Sequence, residues 1–495
     1  MTIPRLVQQS VIRVCAILLV KGIGLAGRVT LTRMVGPEGI GLYQIAYSFY
    51  GFALMLAGGL PTTLALATAK RPSHGWTFFI TLSLLVGPVI GLASLSMFLL
   101  APGIAGLLGN PNLVFAIKSL APALAAATML SLLRGYLQGL KQITIIALSE
   151  VVEQSVRYAV LLLLVWQLLD TGIERAVGWG LYGTVSGAIA AFAMLTLFHA
   201  FSQKRLPAAP HERSIPAFWF IKTSFMISAT RMLIPASEFI DALLIPNRLL
   251  SAGYSTSAAT AMYGIIYGMG VIVVYTPTLL TGALCHTVSA QLAGAWQQGN
   301  LSRFRRLSRT ALHAAWLWGL ISGIFLYECA DELSFYIFNT AEAGTIIRYL
   351  ALIPMIVGFR EVSTCILWAK DSQKQPLIGL LLGIVCSFVL QYFLVAIPGL
   401  GYAGACIGIL MLEWVALMSN MSGRVSIRHL RKRNLMLTLM DILIIDTVYW
   451  GVSMIFHPSP EGTGLLRFLF MSLFYFTGTG LYMYLRCIRK SIRTA

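Results

Sequence analysis

The sequence predicts an all-α polytopic membrane protein of about 14 transmembrane helices, arranged as two parallel six-helix lobes followed by two extra C-terminal helices. Three observations carry that prediction. Of 495 residues, 57% are hydrophobic and only 11% are charged, with a mean hydropathy of +0.79; soluble proteins carry about 25% charge, so a water-soluble globular fold is excluded. The apolar residues fall in segments of membrane-spanning length separated by short gaps. The cations outside the spans fall almost entirely in alternate gaps and at the two ends.

The spans run roughly over 9–33, 42–69, 76–101, 113–138, 143–169, 176–201, 216–247, 257–290, 308–329, 344–369, 376–396, 400–422, 436–456 and 463–486. The first is interrupted by Arg13, Lys21 and Arg28 and lacks a small-residue cleavage site, so it reads as a retained helix, not a signal peptide. The longest gap, 291–307, leaves no room for a soluble domain. Arg5, the even gaps and the tail hold 23 of the cations, Arg134 and Lys141 among them, whereas the odd gaps hold only Arg33, Arg175 and Arg248. Positive charge stays on the cytoplasmic side, which places both termini there and supports an even span count. The formal charge of +18 therefore belongs to membrane topology. The basic stretches 303–309 and 424–433 read as loops facing anionic lipid, and no nucleic-acid partner is expected.

Seven cysteines lie in or beside apolar stretches without a CxxC, and seven histidines show no HExxH. No disulfide framework, metal or cofactor is expected, and no catalytic spacing points to an enzyme.

An internal repeat recurs after about 220 residues. Tyr43, Tyr47 and Pro61-Thr62 of the second span match Tyr263, Tyr267 and Pro277-Thr278 of the eighth, and the turn 139–142 matches 371–374. Parallel repeats of six spans divide the chain into lobes at 1–205 and 206–432, with 433–495 as the extra helices and basic tail. Pro61 and Pro277 then stand well inside their spans, where proline bends a helix; both are expected to be kinks that shape a cavity and move during gating.

Ten cations remain inside the spans, where each costs at least ~2.5–3.5 kcal/mol at a helix centre and normally faces protein or water. Arg13, Lys21 and Arg28 fall within about 80° on the first span, and that span has no acid. Arg231 occupies the middle of the seventh span, with Glu238 and Asp241 on nearly the same face. Lys21, Arg28 and Arg231 are the candidate cargo-binding cations, and Glu238 and Asp241 the candidate coupling acids. In the fifth span Glu150, Glu153 and Arg157 share a stripe, and the i,i+4 spacing predicts a Glu153–Arg157 pair. A cationic cavity with few acids suits an anionic cargo, phosphate first among the choices.

The run Leu133-Arg-Gly-Tyr-Leu-Gln-Gly139 followed by Glu150-Val-Val-Glu-Gln-Ser-Val-Arg157 resembles the signature of the stage V sporulation protein B family. Lys21 to Gln44, with Gly36-Pro-Glu-Gly39, is similar to it as well. The resemblance implies membership of the multidrug/oligosaccharidyl-lipid/polysaccharide exporter superfamily and a two-lobed transporter in the bacterial cytoplasmic membrane. It implies a lipid-linked oligosaccharide as cargo, such as a lipid II-like peptidoglycan precursor for spore cortex, moved by flipping. Lipid II flippases of the superfamily carry cavity arginines in helices 1, 2 and 8; here the first span fits and the second and eighth have none. The competing readings are a drug or organic-cation antiporter of the same superfamily, which needs an acid that the first two spans lack, and a non-transporting scaffold for envelope assembly, which gains nothing from buried cations.

Overall fold

The computed structural model describes residues 3–201, 216–422, 435–455 and 464–492, with side chains described from Cys15 onward, from 439 in the third segment and to Arg486 in the last. The side chain of Arg13 and the basic stretch 424–433 lie outside the described residues. Every regular element among the described residues is helical.

By internal contacts the chain divides into two compact units, Met1–Gly264 and Ile265–Ala495. The first unit contains α1 (Ile3–Leu56), α2 (Leu60–Lys70), α3 (Gly75–Leu99), α4 (Ala101–Leu107), α5 (Val114–Gly139), α6 (Ile143–Leu168), α7 (Ile173–Gly180), α8 (Tyr182–Phe201), α9 (Ala217–Arg231), α10 (Leu233–Ser251) and α11 (Thr256–Tyr263). A π-helical segment, Gly264–Gly270, leads into the second unit. There follow α12 (Val271–Tyr275), α13 (Thr278–Gln297), α14 (Leu301–Glu328), α15 (Ala330–Phe338), α16 (Gly344–Tyr349), α17 (Ile353–Ala369), α18 (Lys374–Leu394), α19 (Gly401–Ser422), α20 (Leu435–Ile455) and α21 (Gly464–Ile492).

Among the described residues, nine segments are long and apolar enough to cross a membrane, fewer than the 14 expected. The difference has local causes. The first two expected spans form one apolar stretch, Cys15–Lys70. Within it α1 is broken at Gly36, whose φ of 67° suits only glycine, directly before Pro37. α6 is long enough but carries Glu150, Glu153 and Arg157. The segments 216–247 and 344–369 are each split into two helices and carry Glu238 with Asp241, and Arg360 with Glu361. In α20 the first four side chains lie outside the described residues.

The two prolines are also placed differently from expectation. Pro61 lies in the first turn of α2 and Pro277 caps the N-terminus of α13, so each follows a helix break and does not kink a continuous helix. At a helix start the missing N–H has no partner to lose. Gly58-Gly59 set up the first break, and Gly59 passes so close to α9 that a Cβ there would stand 2.0 Å from Ser224 O. Backbone groups freed by the breaks are taken up by neighbours. Gly59 N donates to Ser228 Oγ (2.8 Å) and Arg231 Nη1 donates to Gly58 O (3.2 Å). In the second unit Trp318 Nε1 donates to Pro277 O (2.9 Å), a carbonyl that also accepts from Leu280 N (3.2 Å) and so is not freed by the break.

The turns matched in sequence share a backbone conformation. Lys141 and Asp371 have φ of 60° and 59°. In each, this residue's N–H donates three residues back and the next N–H five residues back: Lys141 to Gln138 O and Gln142 to Leu137 O, Asp371 to Trp368 O and Ser372 to Leu367 O. The N-terminal unit is packed around Leu64, Leu133, Tyr136 and Leu195. In the C-terminal unit Ile321 and Phe325 of α14 pack on Tyr449 of α20 and Tyr475 of α21, and Tyr475 Oη donates to Ile321 O (2.9 Å).

Candidate functional site

Among the described residues of the second unit, several charges within or beside the expected spans are paired. Arg360 Nε lies 2.5 Å from Glu413 Oε2, and Tyr275 Oη donates to Glu413 Oε1 (3.1 Å). Thr281 Oγ1 donates to Glu361 Oε2 (2.9 Å). The fully buried Asp441 accepts from Tyr482 Oη (2.6 Å) and Arg486 Nε (3.1 Å), and Arg348 pairs with Asp331.

The first unit is arranged differently. Glu153 is paired with Arg134 of α5 (2.7 Å), whose Nε also donates to Ser149 Oγ (3.0 Å). Arg134 is thus a half-buried helix residue and not a loop cation, and the expected Glu153–Arg157 pair is replaced by one between neighbouring helices. Arg157 is left among aromatic rings, 5% exposed. Its Nη2 donates to Tyr43 Oη (2.7 Å), and its guanidinium carbon lies 4.4 Å from the Tyr47 ring centre and 5.3 Å from that of Tyr158. Tyr43 and Tyr47 stack nearly parallel, 5.5 Å apart, and Tyr50 follows at 5.4 Å from Tyr47. Arg28 of α1 addresses the same tyrosine, with its guanidinium carbon 6.0 Å from the Tyr43 ring centre. Neither Arg28 nor Arg157 forms an ion pair among the described residues.

α1 presents this cluster because Tyr43, Tyr47 and Tyr50 recur at i, i+4 and i+7 on one helical face. Gly27, one residue before Arg28, lets the Tyr158 ring press against α1; a Cβ there would stand 2.2 Å from Tyr158 Cδ1. Cation–π contacts of this kind return about 0.5–2 kcal/mol each, less than burial of an unpaired guanidinium costs.

Of the residues singled out in the sequence, Arg28 lies at this cluster and Glu238 of α10 is within its electrostatic reach. Glu238 is exposed, whereas Asp241 is 8% exposed. Both act electrostatically on the buried Tyr263. Lys21 is exposed on α1 and makes no ion pair among the described residues. Arg231 is committed to Gly58 O at the first helix break, and no described contact joins it or Lys21 to Arg28. The residues missed in the sequence are Arg157 and its tyrosines. The signal was present as the i, i+4, i+7 tyrosine stripe and as a second cation, Arg134, available to Glu153.

The model of the polysaccharide biosynthesis protein family matches residues 6–288, more than half of the chain. The chain belongs to that family. The matched region encloses Lys21, Arg28, Pro61, Arg231, Glu238, Asp241 and Pro277. The chain is 25% identical over 414 residues to stage V sporulation protein B of Bacillus subtilis (strain 168), covering 81% of this chain and 80% of the relative. This bears out the resemblance read from residues 133–157. To the lipid II flippase MurJ of the same organism it is 23% identical over 404 residues, covering 74% of this chain and 73% of the relative. Among solved structures, an inward-facing multidrug resistance MATE family transporter of the MOP superfamily aligns with a TM-score of 0.68 at 16% identity, over 86% of this chain and 99% of that one. A MOP superfamily transporter from Pyrococcus furiosus aligns with a TM-score of 0.59 at 16% identity, over 86% and 96%. The family member described here is a multi-pass membrane protein with the MATE/MOP fold.

Proposed function

We propose that this family member flips an undecaprenyl-pyrophosphate-linked glycan, lipid II-like, across the bacterial cytoplasmic membrane by alternating access. The observation that carries the reading is the contrast between the units. The second unit pairs Arg348, Arg360 and Arg486 with acids, whereas the first holds Arg28 and Arg157 without an ion pair among the described residues. Uncompensated cations within a span are costly and are retained where an anion passes. Arg28 and Lys21 on α1 receive the pyrophosphate. Arg231 contributes from the break at Gly58, and Glu238 or Asp241 couples the cycle to protons or membrane potential. The relationship to a protein named as a lipid II flippase supports a lipid-linked cargo.

An apolar cavity of about 600 Å³ lies in the first unit between α1, α2, α3, α4 and α5, lined by Phe49, Leu60, Leu85, Val89, Met97 and Leu124 among others. Ala57, next to the break, also lines it, so an isoprenoid chain has an apolar wall beside the site. In this reading 14 spans form lobes 1–205 and 206–432 with both termini cytoplasmic, 433–495 adds two helices, and the breaks at Pro61 and Pro277 permit lobe movement.

The test is flipping in proteoliposomes of fluorescent lipid II and, separately, of an undecaprenyl-pyrophosphate oligosaccharide. Wild type flips one or both, and the Lys21→Ala, Arg28→Gln double variant loses at least about tenfold in rate, one unmade charge-assisted contact being worth about 1.5–3 kcal/mol. Absence of flipping of both lipids by folded wild type would defeat the reading, and full retention by the variant would defeat the assigned site.

A further inference from the structure

Arg157 is a buried charged group that the binding proposal leaves unused. It is 5% exposed, its Nε has no hydrogen-bond partner among the described residues, and α6's own acid Glu153 has been drawn away to Arg134. Its surroundings are specifically shaped. Gly187 of α8 packs on α6 so closely that a Cβ would stand 2.5 Å from Glu153 O and 3.0 Å from Arg157 Cβ. Gly183 does the same one turn away, 2.3 Å from Arg157 O. Tyr43 joins the two arginines, with Arg157 on its hydroxyl and Arg28 near its ring, and the tyrosines contribute ring quadrupoles but no counter-charge.

Glu238 lies within electrostatic reach of Arg28, so an ionised Glu238 offsets the outer cation. Arg157 makes no ion pair among the described residues, and the groups seen against it are Tyr43, Tyr47 and Tyr158. Its charge keeps the site positive whatever the state of Glu238.

We propose that Arg157 makes this site selective for diphosphate diesters over phosphodiesters. A lipid-diphosphate-sugar carries two ionised phosphoryl groups and a lipid-phosphate-sugar one, so each additional positive charge near Arg28 favours the first over the second. Arg157 acts through Tyr43 and through its field, as a positioning residue, without touching the cargo. The inference rests on the reading of Arg28 as the anion contact.

The experiment measures binding to the full chain in phosphatidylcholine nanodiscs, using two polyprenyl lipids with the same chain and sugar, one joined by a diphosphate and one by a single phosphate. Wild type prefers the diphosphate lipid by about tenfold or more, the effect of one charge some 7 Å away at an effective dielectric of about 20. Arg157→Gln lowers the preference by about tenfold, Arg157→Lys keeps it, and Tyr43→Phe reduces it severalfold. A purely structural role would lower both affinities together and leave their ratio unchanged. An unchanged ratio in Arg157→Gln, or in Tyr43→Phe should the first variant not fold, overturns the inference while leaving the flippase reading in place. Wild type that binds neither lipid defeats both. Two further arms identify the source of the phosphoryl group. Competition by inorganic pyrophosphate but not by phosphatidylglycerol agrees with diphosphate recognition. Equal competition by phosphatidylglycerol shows a site for any anionic headgroup and overturns it.

Discussion

The Arg134–Glu153 pair and the absence of a Glu153–Arg157 pair can be tested against each other in one experiment. The perturbations are Arg134→Gln, Glu153→Gln and Arg157→Gln, singly and as the two double variants that include Glu153. Arg134 and Glu153 are 2.7 Å apart and each 19% exposed. At an effective dielectric of 20, opposite charges 4 Å apart attract by about 4 kcal/mol. Desolvation of both groups takes back part of this, and a coupling energy of about 1.5–3 kcal/mol remains, the range for hydrogen bonds to charged groups. Removing Arg134 alone leaves a largely buried carboxylate unpaired, at a cost near the lower end of about 3–5 kcal/mol because some water reaches the site. For Glu153 and Arg157 the coupling is expected below about 0.5 kcal/mol, the level of additive sites. The assay is denaturant unfolding of purified protein in mild detergent, followed by tryptophan fluorescence. A Glu153–Arg157 coupling equal to or larger than that of Arg134–Glu153 would refute the assignment and restore the i,i+4 pair.

Three further outcomes follow from particular contacts. Gly59→Ala is expected to destabilise by about 3 kcal/mol or more, because its methyl would meet the α9 backbone at 2.0 Å and neither helix can give way cheaply; thermal unfolding in detergent measures it, and a neutral result would mean that the break is not packed on α9. Lys141→Gly is expected to stabilise by about 0.5–1 kcal/mol by relieving a left-handed lysine at an exposed turn, and Asp371→Gly likewise, both read as a raised unfolding midpoint. Asp441→Ala strips the fully buried acceptor of Tyr482 and Arg486 and is expected to cost about 3–5 kcal/mol; limited proteolysis around α20 and α21 would show the loosening directly, and unchanged protection would contradict it.

Much of this architecture was legible in the sequence because membrane spans are written in one dimension. A long apolar run in a bilayer is helical because its backbone must bond within the segment, and among the described residues the expected segments fall on helices, nine stretches of which are long and apolar enough to span. Arg28 was legible for a related reason: an expected span, 9–33, with cations and no acid advertises a charge that its own segment does not pair. The partner of Glu153 was not. Helical spacing reveals only neighbours on the same helix, and Arg134 reaches Glu153 from α5 across a turn. Arg231 was found as a cation at mid-span, but its engagement with Gly58 O depends on a break in another helix that its own segment does not encode. The prolines were legible as interruptions and not as helix starts, since that distinction depends on Gly58-Gly59 preceding Pro61 and on Thr276 leaving α12 before Pro277. Arg157 was misread because a correct local rule, i,i+4 attraction, lost to a stronger contact between helices.

The capped carbonyls at the two helix breaks have a kinetic consequence. An interrupted helix is commonly pictured as a spring, soft in proportion to its missing bonds. Here Gly58 O is held by Arg231 and Pro277 O by Trp318, so neither interruption is slack. Bending either one requires giving up a side-chain hydrogen bond, worth about 0.5–1.5 kcal/mol net for the neutral Trp318 donor and about 1.5–3 kcal/mol for the charged Arg231 donor. Each break is therefore pinned by a side-chain donor, and removing that donor should make bending there faster. Replacing Trp318 with phenylalanine removes the donor while keeping a ring, so a spectroscopic reporter beside α13 would show faster exchange in that variant than in wild type.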